Sequence, residues 1–139
     1  MPQQIFVNLP VKDLKKSMDF FEKLGFTFNP QFTDEKAACL VISDAIYAML
    51  VTEPFFKKFT KKKVADAKKE TEALVTLSME SDADVDAIVD KAEAAGAEPT
   101  EMPSETQVEG MHGRGFQDLD GHQWEFIHMD LSAMPANPS

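Results

Sequence analysis

The chain has 139 residues, 43% of them apolar and 27% charged, which fits one globular domain with a hydrophobic core of its own. Its formal net charge of −10 argues against nucleic acid as a main partner, because phosphate binding rests on positive charge. No apolar run approaches the roughly 20 residues of a membrane span, and the opening MPQQIFVNLP lacks the basic and long apolar regions of a signal peptide; a cytoplasmic protein with no membrane partner is expected.

Residues 5–9 (IFVNL) predict a short strand, ended by Pro10. A helix follows from Asp13 to Leu24, with Leu14, Met18, Phe21 and Leu24 recurring at three- and four-residue spacing. Asp13 is its expected N-terminal cap and Gly25 its stop. Three short strands are predicted at 26–28, 37–42 and 46–51, the last two joined by a turn at Ser43-Asp44-Ala45. Residues 53–72 differ in kind. They are rich in lysine, with Phe55, Phe56 and Phe59 suited to one helical face, and they read as a connector with one or two short helices. Seven of the fourteen basic residues lie between Lys57 and Lys69. A solvated surface segment and a lid or entrance that attracts an anionic ligand are both open readings of that run.

The pattern then restarts. Residues 73–79 (ALVTLSM) predict a strand, and a helix runs from Asp84 to Ala95 with Val85, Ile88, Val89 and Ala92 on its apolar side, before Gly96. Residues 97–110 are polar, with two prolines, and predict a short strand and a loop. Two strands close the pattern at 113–117 and 122–128. Asp118-Leu119-Asp120-Gly121 joins them, with the Asp-Gly pair of a hairpin turn. The tail after Met129 is expected to be a frayed end or a strap. The spans Asp13–Gly25 and Asp84–Gly96 are equal in length. This is a repeat of element order rather than of residues. It predicts an α+β domain of two βαβββ modules, 4–52 and 73–129, with the connector at 53–72, the tail at 130–139 and the helices outside a mixed sheet. The lone cysteine, Cys39, sits in an apolar stretch (AACLVI) and reads as a small buried hydrophobe rather than a nucleophile.

Val11-Lys12-Asp13-Leu14, followed by Ser17, Phe20-Phe21 and Leu24-Gly25-Phe26, resembles the opening helix of the vicinal oxygen chelate superfamily, which includes glyoxalases, bleomycin resistance proteins and extradiol dioxygenases. The segment Phe116-Gln117-Asp118-Leu119-Asp120-Gly121-His122-Gln123-Trp124-Glu125-Phe126 is similar to its closing hairpin, where an Asp-x-Asp-Gly turn leads to a strand carrying a Glu. Within the superfamily the chain looks most like bacterial proteins described as predicted lactoylglutathione lyases. The resemblance implies that the modules curl into a mixed-sheet open barrel around a shared small-molecule cavity, and that a homodimer forms. In active members a divalent metal in that cavity acts as a Lewis acid on bidentate substrate oxygens.

The ligands the resemblance implies are mostly missing. The first-strand ligand, seven residues before the helix-opening Asp, falls on Phe6 in module one and on Leu77 in module two, and a small shift would offer only Val75, Thr76 or Ser78. The last-strand ligand, five residues after the turn Asp, falls on Met49 and on Glu125. Only Glu125 is a usual ligand, and a catalytic site needs about three. No metal cofactor is therefore expected. Among the histidines, His122 lies by the turn and His128 on the opposite strand face from Glu125, while His112 is expected to reach the cavity.

Strand alternation sorts the expected pocket. Glu125 brings Gln123 with it, Phe6 brings Asn8, and Met49 brings Tyr47. His112 and Arg114 complete the candidate set. Arg114, the only arginine, either clamps an anionic ligand or neutralises nearby acid. Glu125 is the one catalytic candidate. A former metal ligand, a general base and a structural carboxylate bonded to backbone or Arg114 are all open readings. Three functions compete: a lyase- or dioxygenase-like enzyme, a metal-independent enzyme using Glu125 with Tyr47 or His112, and a non-catalytic protein that sequesters a drug or metabolite. An apolar cleft in so acidic a protein suits cationic compounds for the last of these.

Overall fold

The computed structural model describes residues 1–103 and 108–130. The tail beyond Asp130 and residues 104–107 of the predicted loop lie outside the described residues. The elements run β1 (Ile5–Val11), α1 (Leu14–Lys23), β2 (Thr27–Asn29), β3 (Ala37–Val41), β4 (Ile46–Thr52), α2 (Glu53–Phe56), β5 (Leu74–Ser78), α3 (Asp82–Ala94), β6 (Glu98–Thr100), β7 (Met111–Gln117) and β8 (Gln123–Met129). Short 3-10 turns lie at Pro30–Phe32 and Lys57–Phe59. The strands form two four-stranded sheets with the same order, β1-β4-β3-β2 and β5-β8-β7-β6. In each, the first strand runs parallel to the fourth and the other pairs are antiparallel. This is the α+β arrangement of two βαβββ modules.

The chain divides into two compact units. The first is Met1–Glu70 together with Leu119–His122. Its helix α1 starts where the Asp13 carboxylate accepts from Lys16 N–H at 3.1 Å, and it packs on β2, β3 and β4. The register Leu9–Leu50–Ala38 and Val7–Ala48–Leu40 carries the apolar stripe that Leu14, Phe21 and Leu24 cover. Ser17 is buried in the same helix face.

Pro10 does not end β1, as the sequence suggested. The strand continues to Val11 with Pro10 opposite Val51. Strand β1 is an edge of its sheet, and a proline is tolerated at an edge where its missing N–H points away from the ladder. The carbonyl of Pro10 points that same outward way and accepts from His122 Nε2 at 2.7 Å. Two residues on, Lys12 N–H donates to Asp120 Oδ1 at 2.9 Å, and the buried Ser17 hydroxyl donates to Asp120 Oδ2 at 3.1 Å. The tip segment Leu119–His122 thus occupies backbone groups that an edge would leave open.

The second unit is Thr71–Asp118 with the chain from Gln123 onward. Ser81 is the cap of α3, accepting from Asp84 N–H at 3.0 Å, so the helix opens at Asp82 and not at Asp84. Ser outcompetes Asp84 here because its hydroxyl reaches the N–H three residues on from an extended backbone. Val85, Ile88, Val89 and Ala92 pack on β7 and β8. Opposite them lie Trp124, Phe116 and Phe126, all fully buried, with the two Phe rings stacked at 5.6 Å. The Trp124 indole N–H donates to the buried Asp118 carboxylate at 3.0 Å.

Gly121 has φ +92°, and a Cβ there would lie 2.7–2.8 Å from the backbone of Ala67 and Lys68. Gly121→Ala is expected to cost about 2 kcal/mol or more in urea unfolding, from the unfavourable dihedral and the backbone collision together. Asp120→Ala is expected to cost about 1–3 kcal/mol in the same assay, by orphaning Ser17 and Lys12 N–H. A variant of either kind as stable as the parent would show that the tip segment is not anchored as described.

Candidate functional site

The second sheet turns one face to α3 and leaves the other open. Period-two alternation sends Trp124, Phe126 and His128 to the helix, and Gln123, Glu125 and Ile127 to the open face. On β7 it sends His112, Arg114 and Phe116 to the helix, and Met111, Gly113 and Gly115 to the open face. The parallel neighbour β5 adds Leu74 opposite Gln123 and Thr76 opposite Glu125. A cavity of about 490 Å³ lies on this face, within the common range for small-molecule sites.

Its floor depends on two glycines. A Cβ on Gly115 would meet Thr100 Oγ1 at 2.8 Å and Glu125 Cγ at 3.3 Å, and one on Gly113 would meet Met102 Sδ at 2.7 Å. Their absence lets Thr100 and Met102 lie close over β7. The polar groups on the cavity wall are Thr76, Thr100, Glu101, Gln123 and Glu125, with no Lys, Arg or His among the described lining. Gln123 Oε1 accepts from the Thr71 hydroxyl at 2.8 Å. Glu125 and Glu101 have no hydrogen bond or ion pair among the described residues.

Of the expected pocket residues only Gln123 and Glu125 line this cavity; Phe6, Asn8, Tyr47 and Met49 lie on the first sheet, and His112 and Arg114 turn to α3. His112 Nε2 lies 2.9 Å from Asp86 Oδ1 on α3, and Arg114 reaches Asp90 at 3.0 Å, Asp86 at 3.3 Å and Glu93 at 3.5 Å. Both sit at even positions of β7, on the helix side, where the acids of α3 supply opposite charge. Arg114 therefore cannot be the partner of Glu125, which lies across from Gly115 on the other face. His128 donates to Asp82 from the helix side as well, at 2.8 Å. The Arg114 guanidinium stays charged beyond its ordinary range, since the carboxylates of Asp90 and Asp86 outweigh its desolvation.

The first sheet carries the other candidates. Phe6 lies opposite Tyr47 and stacks on it at 4.8 Å and 11° between planes. Asn8 lies opposite Met49, and its amide donates to Phe6 O at 3.4 Å. The Tyr47 hydroxyl donates to Asp44 O at 2.9 Å. Cys39, the register partner of Met49, is buried, and burial pushes its thiol pKa up, which disfavours the nucleophilic thiolate.

Counting back from the true cap Ser81 moves the first-strand position of module two from Leu77 to Leu74. The positions to which the resemblance assigns metal ligands are then Phe6 and Met49 in the first module and Leu74 and Glu125 in the second, three apolar side chains and one carboxylate. Among the described residues no three His, Cys, Asp or Glu side chains are grouped to hold an ion. This donor set does not fit a catalytic divalent metal. The cavity residues the sequence reading missed include Thr100, Glu101 and Met102, at and just after the end of β6, where there is no periodic signal. The Gly-x-Gly spacing at 113 and 115 was the available hint of an open floor.

The family model described as Glyoxalase/Bleomycin resistance protein/Dioxygenase superfamily matches residues 4–126. The chain belongs to this superfamily. Among solved structures, a hypothetical protein from S. aureus is 30% identical, with 92% of this chain and 95% of that one covered and a TM-score of 0.75. A glyoxalase-related enzyme from Fulvimarina pelagi is 17% identical, with 92% and 88% covered and a TM-score of 0.74. The fosfomycin resistance protein FosX from Listeria monocytogenes, complexed with Mn(II) and sulfate, is 18% identical, with 96% and 94% covered and a TM-score of 0.68. The last two similarities show the superfamily fold alone. No curated protein matches the chain.

The His112 hydrogen bond, followed by the Arg114 contacts, holds the Asp86 carboxyl below its ordinary value of 3.8. A depressed carboxylate stabilises the fold above its unfolded pKa, and that contribution is lost as pH falls through the lower folded value. The urea midpoint of the parent is therefore expected to fall more steeply below about pH 4 than that of Asp86→Asn. Parallel acid limbs would show that the His112–Asp86–Arg114 contact does not couple to folding.

Proposed function

We infer that the open face of the second sheet binds a small, partly apolar organic cation without transforming it. The carrying observation is the pair Glu101 and Glu125, unpaired among the described residues, on a cavity wall that offers no basic group. A carboxylate beside Leu74, Met102, Met111 and Ile127 favours a ligand that brings its own positive charge and an apolar body. Thr76, Thr100 and Gln123 supply neutral hydrogen bonds that orient such a ligand. This corresponds to the drug- or metabolite-sequestering role within the superfamily.

The catalytic alternatives have weaker support. A lyase- or dioxygenase-like reaction requires a metal donor set that Phe6, Met49 and Leu74 do not supply. A metal-independent reaction would pair Glu125 with His112 or Tyr47. His112 faces α3, and the Tyr47 hydroxyl is engaged by Asp44 O.

Isothermal titration against aromatic amines and their uncharged isosteres tests the reading. A hit is expected to prefer the amine, and Glu125→Gln is expected to weaken it by roughly tenfold to a hundredfold, the worth of a hydrogen bond to a charged group. Glu101→Gln is expected to act in the same direction. Metal-dependent turnover of fosfomycin or of a thiol–aldehyde adduct, abolished by Glu125→Gln, would sink the proposal.

A further inference from the structure

The charge of this chain is segregated. Residues 57–69 hold seven lysines and one aspartate, a net +6, while the remainder carries −16. All seven lysines are exposed. None forms an ion pair among the described residues. In so acidic a protein, lysines left without carboxylate partners are available to an outside anion.

The segment is also built rather than trailing. It leaves the sheet through α2, and Thr60 Oγ1 accepts from Lys62 N–H at 3.1 Å. The Asp66 carboxylate accepts from Lys68 N–H, and the Asp66 carbonyl accepts from Lys69 and Glu70 N–H. The backbone at Ala67 and Lys68 passes so close to Gly121 that no side chain fits there. Between these anchors Phe59 stands 73% exposed, its ring edge-on to Phe55 at 5.1 Å. The Lys36 ammonium lies over the Phe55 ring at 5.5 Å.

We propose that residues 57–69, with Phe59, dock this protein on an anionic lipid surface. Clustered lysines respond to a diffuse negative surface potential, and an exposed Phe among them inserts at the headgroup boundary. Two features favour lipid over nucleic acid. The segment has no arginine, the residue suited to bidentate phosphate contacts. Its rings lie edge-to-face, with an ammonium over Phe55, rather than as a row of free faces on which bases could stack. No described helix is long and apolar enough to cross a membrane, and peripheral docking needs none. The proposal departs from the expectation of no membrane partner. The proposal is independent of the cavity reading.

Co-sedimentation of the full chain with vesicles tests it. Binding is expected to phosphatidylcholine vesicles that contain phosphatidylserine, and not to phosphatidylcholine alone. The combined change Lys61→Gln, Lys62→Gln and Lys63→Gln is expected to lower partitioning at least about tenfold, and Phe59→Ser severalfold. Raising ionic strength to about 0.5 M is expected to abolish binding, because the interaction is between exposed charges. These residues are exposed, so the urea midpoint should not move. Failure to bind the anionic vesicles, or binding that ignores the lysine substitutions, overturns the proposal. Lysine-dependent binding of single-stranded RNA without vesicle partitioning overturns it in favour of nucleic acid.

Discussion

The β7–β8 pair must satisfy two environments at once, and period-two alternation is what allows it. Every even residue from His112 to His128 on these strands meets α3, and every odd one faces away. The helix side takes Phe116, Trp124 and Phe126 into the core and ends in a polar clamp, where His112, His128 and Arg114 meet the acids of α3. The open side is left with Gly113, Gly115, Gln123 and Glu125. A slip of one residue would bury Glu125 against Val85 and Val89 and turn Trp124 to solvent. The position of the cavity carboxylate is therefore a consequence of how the aromatic core is placed.

The two modules share a topology and a register but not a chemistry. Phe6 opposite Tyr47 in the first sheet corresponds to Leu74 opposite Gln123 in the second, and Asn8 opposite Met49 corresponds to Thr76 opposite Glu125. Of the positions to which the resemblance assigns metal ligands, Phe6, Met49 and Leu74 are apolar and only Glu125 is a carboxylate. Membership in the superfamily fixes the scaffold. The side chains on the sheet faces decide what that scaffold binds.

Much of the fold was legible because its signals are local. The caps at Asp13 and Gly25, the three- and four-residue spacing of Leu14, Met18, Phe21 and Leu24, and the Asp-Gly turn each act within a few residues. Pro10 misled, because its cost depends on whether the strand is an edge, and edge status is set by pairing with a distant strand. Asp84 misled because Ser81 competes for the same cap. In the candidate site, alternation from one correct anchor placed Gln123 and Glu125 together. It also implies that His112 and Arg114 share a face, but not which one, since that depends on the register of β7 against β8.

The closing hairpin was the strongest motif in the sequence, and its meaning changed most. Asp120 and Gly121 mark a turn by their type alone. Only the folded chain shows that Asp120 holds Lys12 and Ser17, and that Gly121 lies against Ala67 and Lys68. By itself the sequence determined the element order, the repeat of the βαβββ unit and the face shared by Gln123 and Glu125, because helix and strand periodicities are properties of neighbouring residues. Tertiary structure alone decided that Thr100, Glu101 and Met102 line the cavity, that Arg114 and His112 turn to the acids of α3, and that the lysine segment is pinned at its far end. Those outcomes rest on contacts between residues far apart in the chain, which no local pattern encodes.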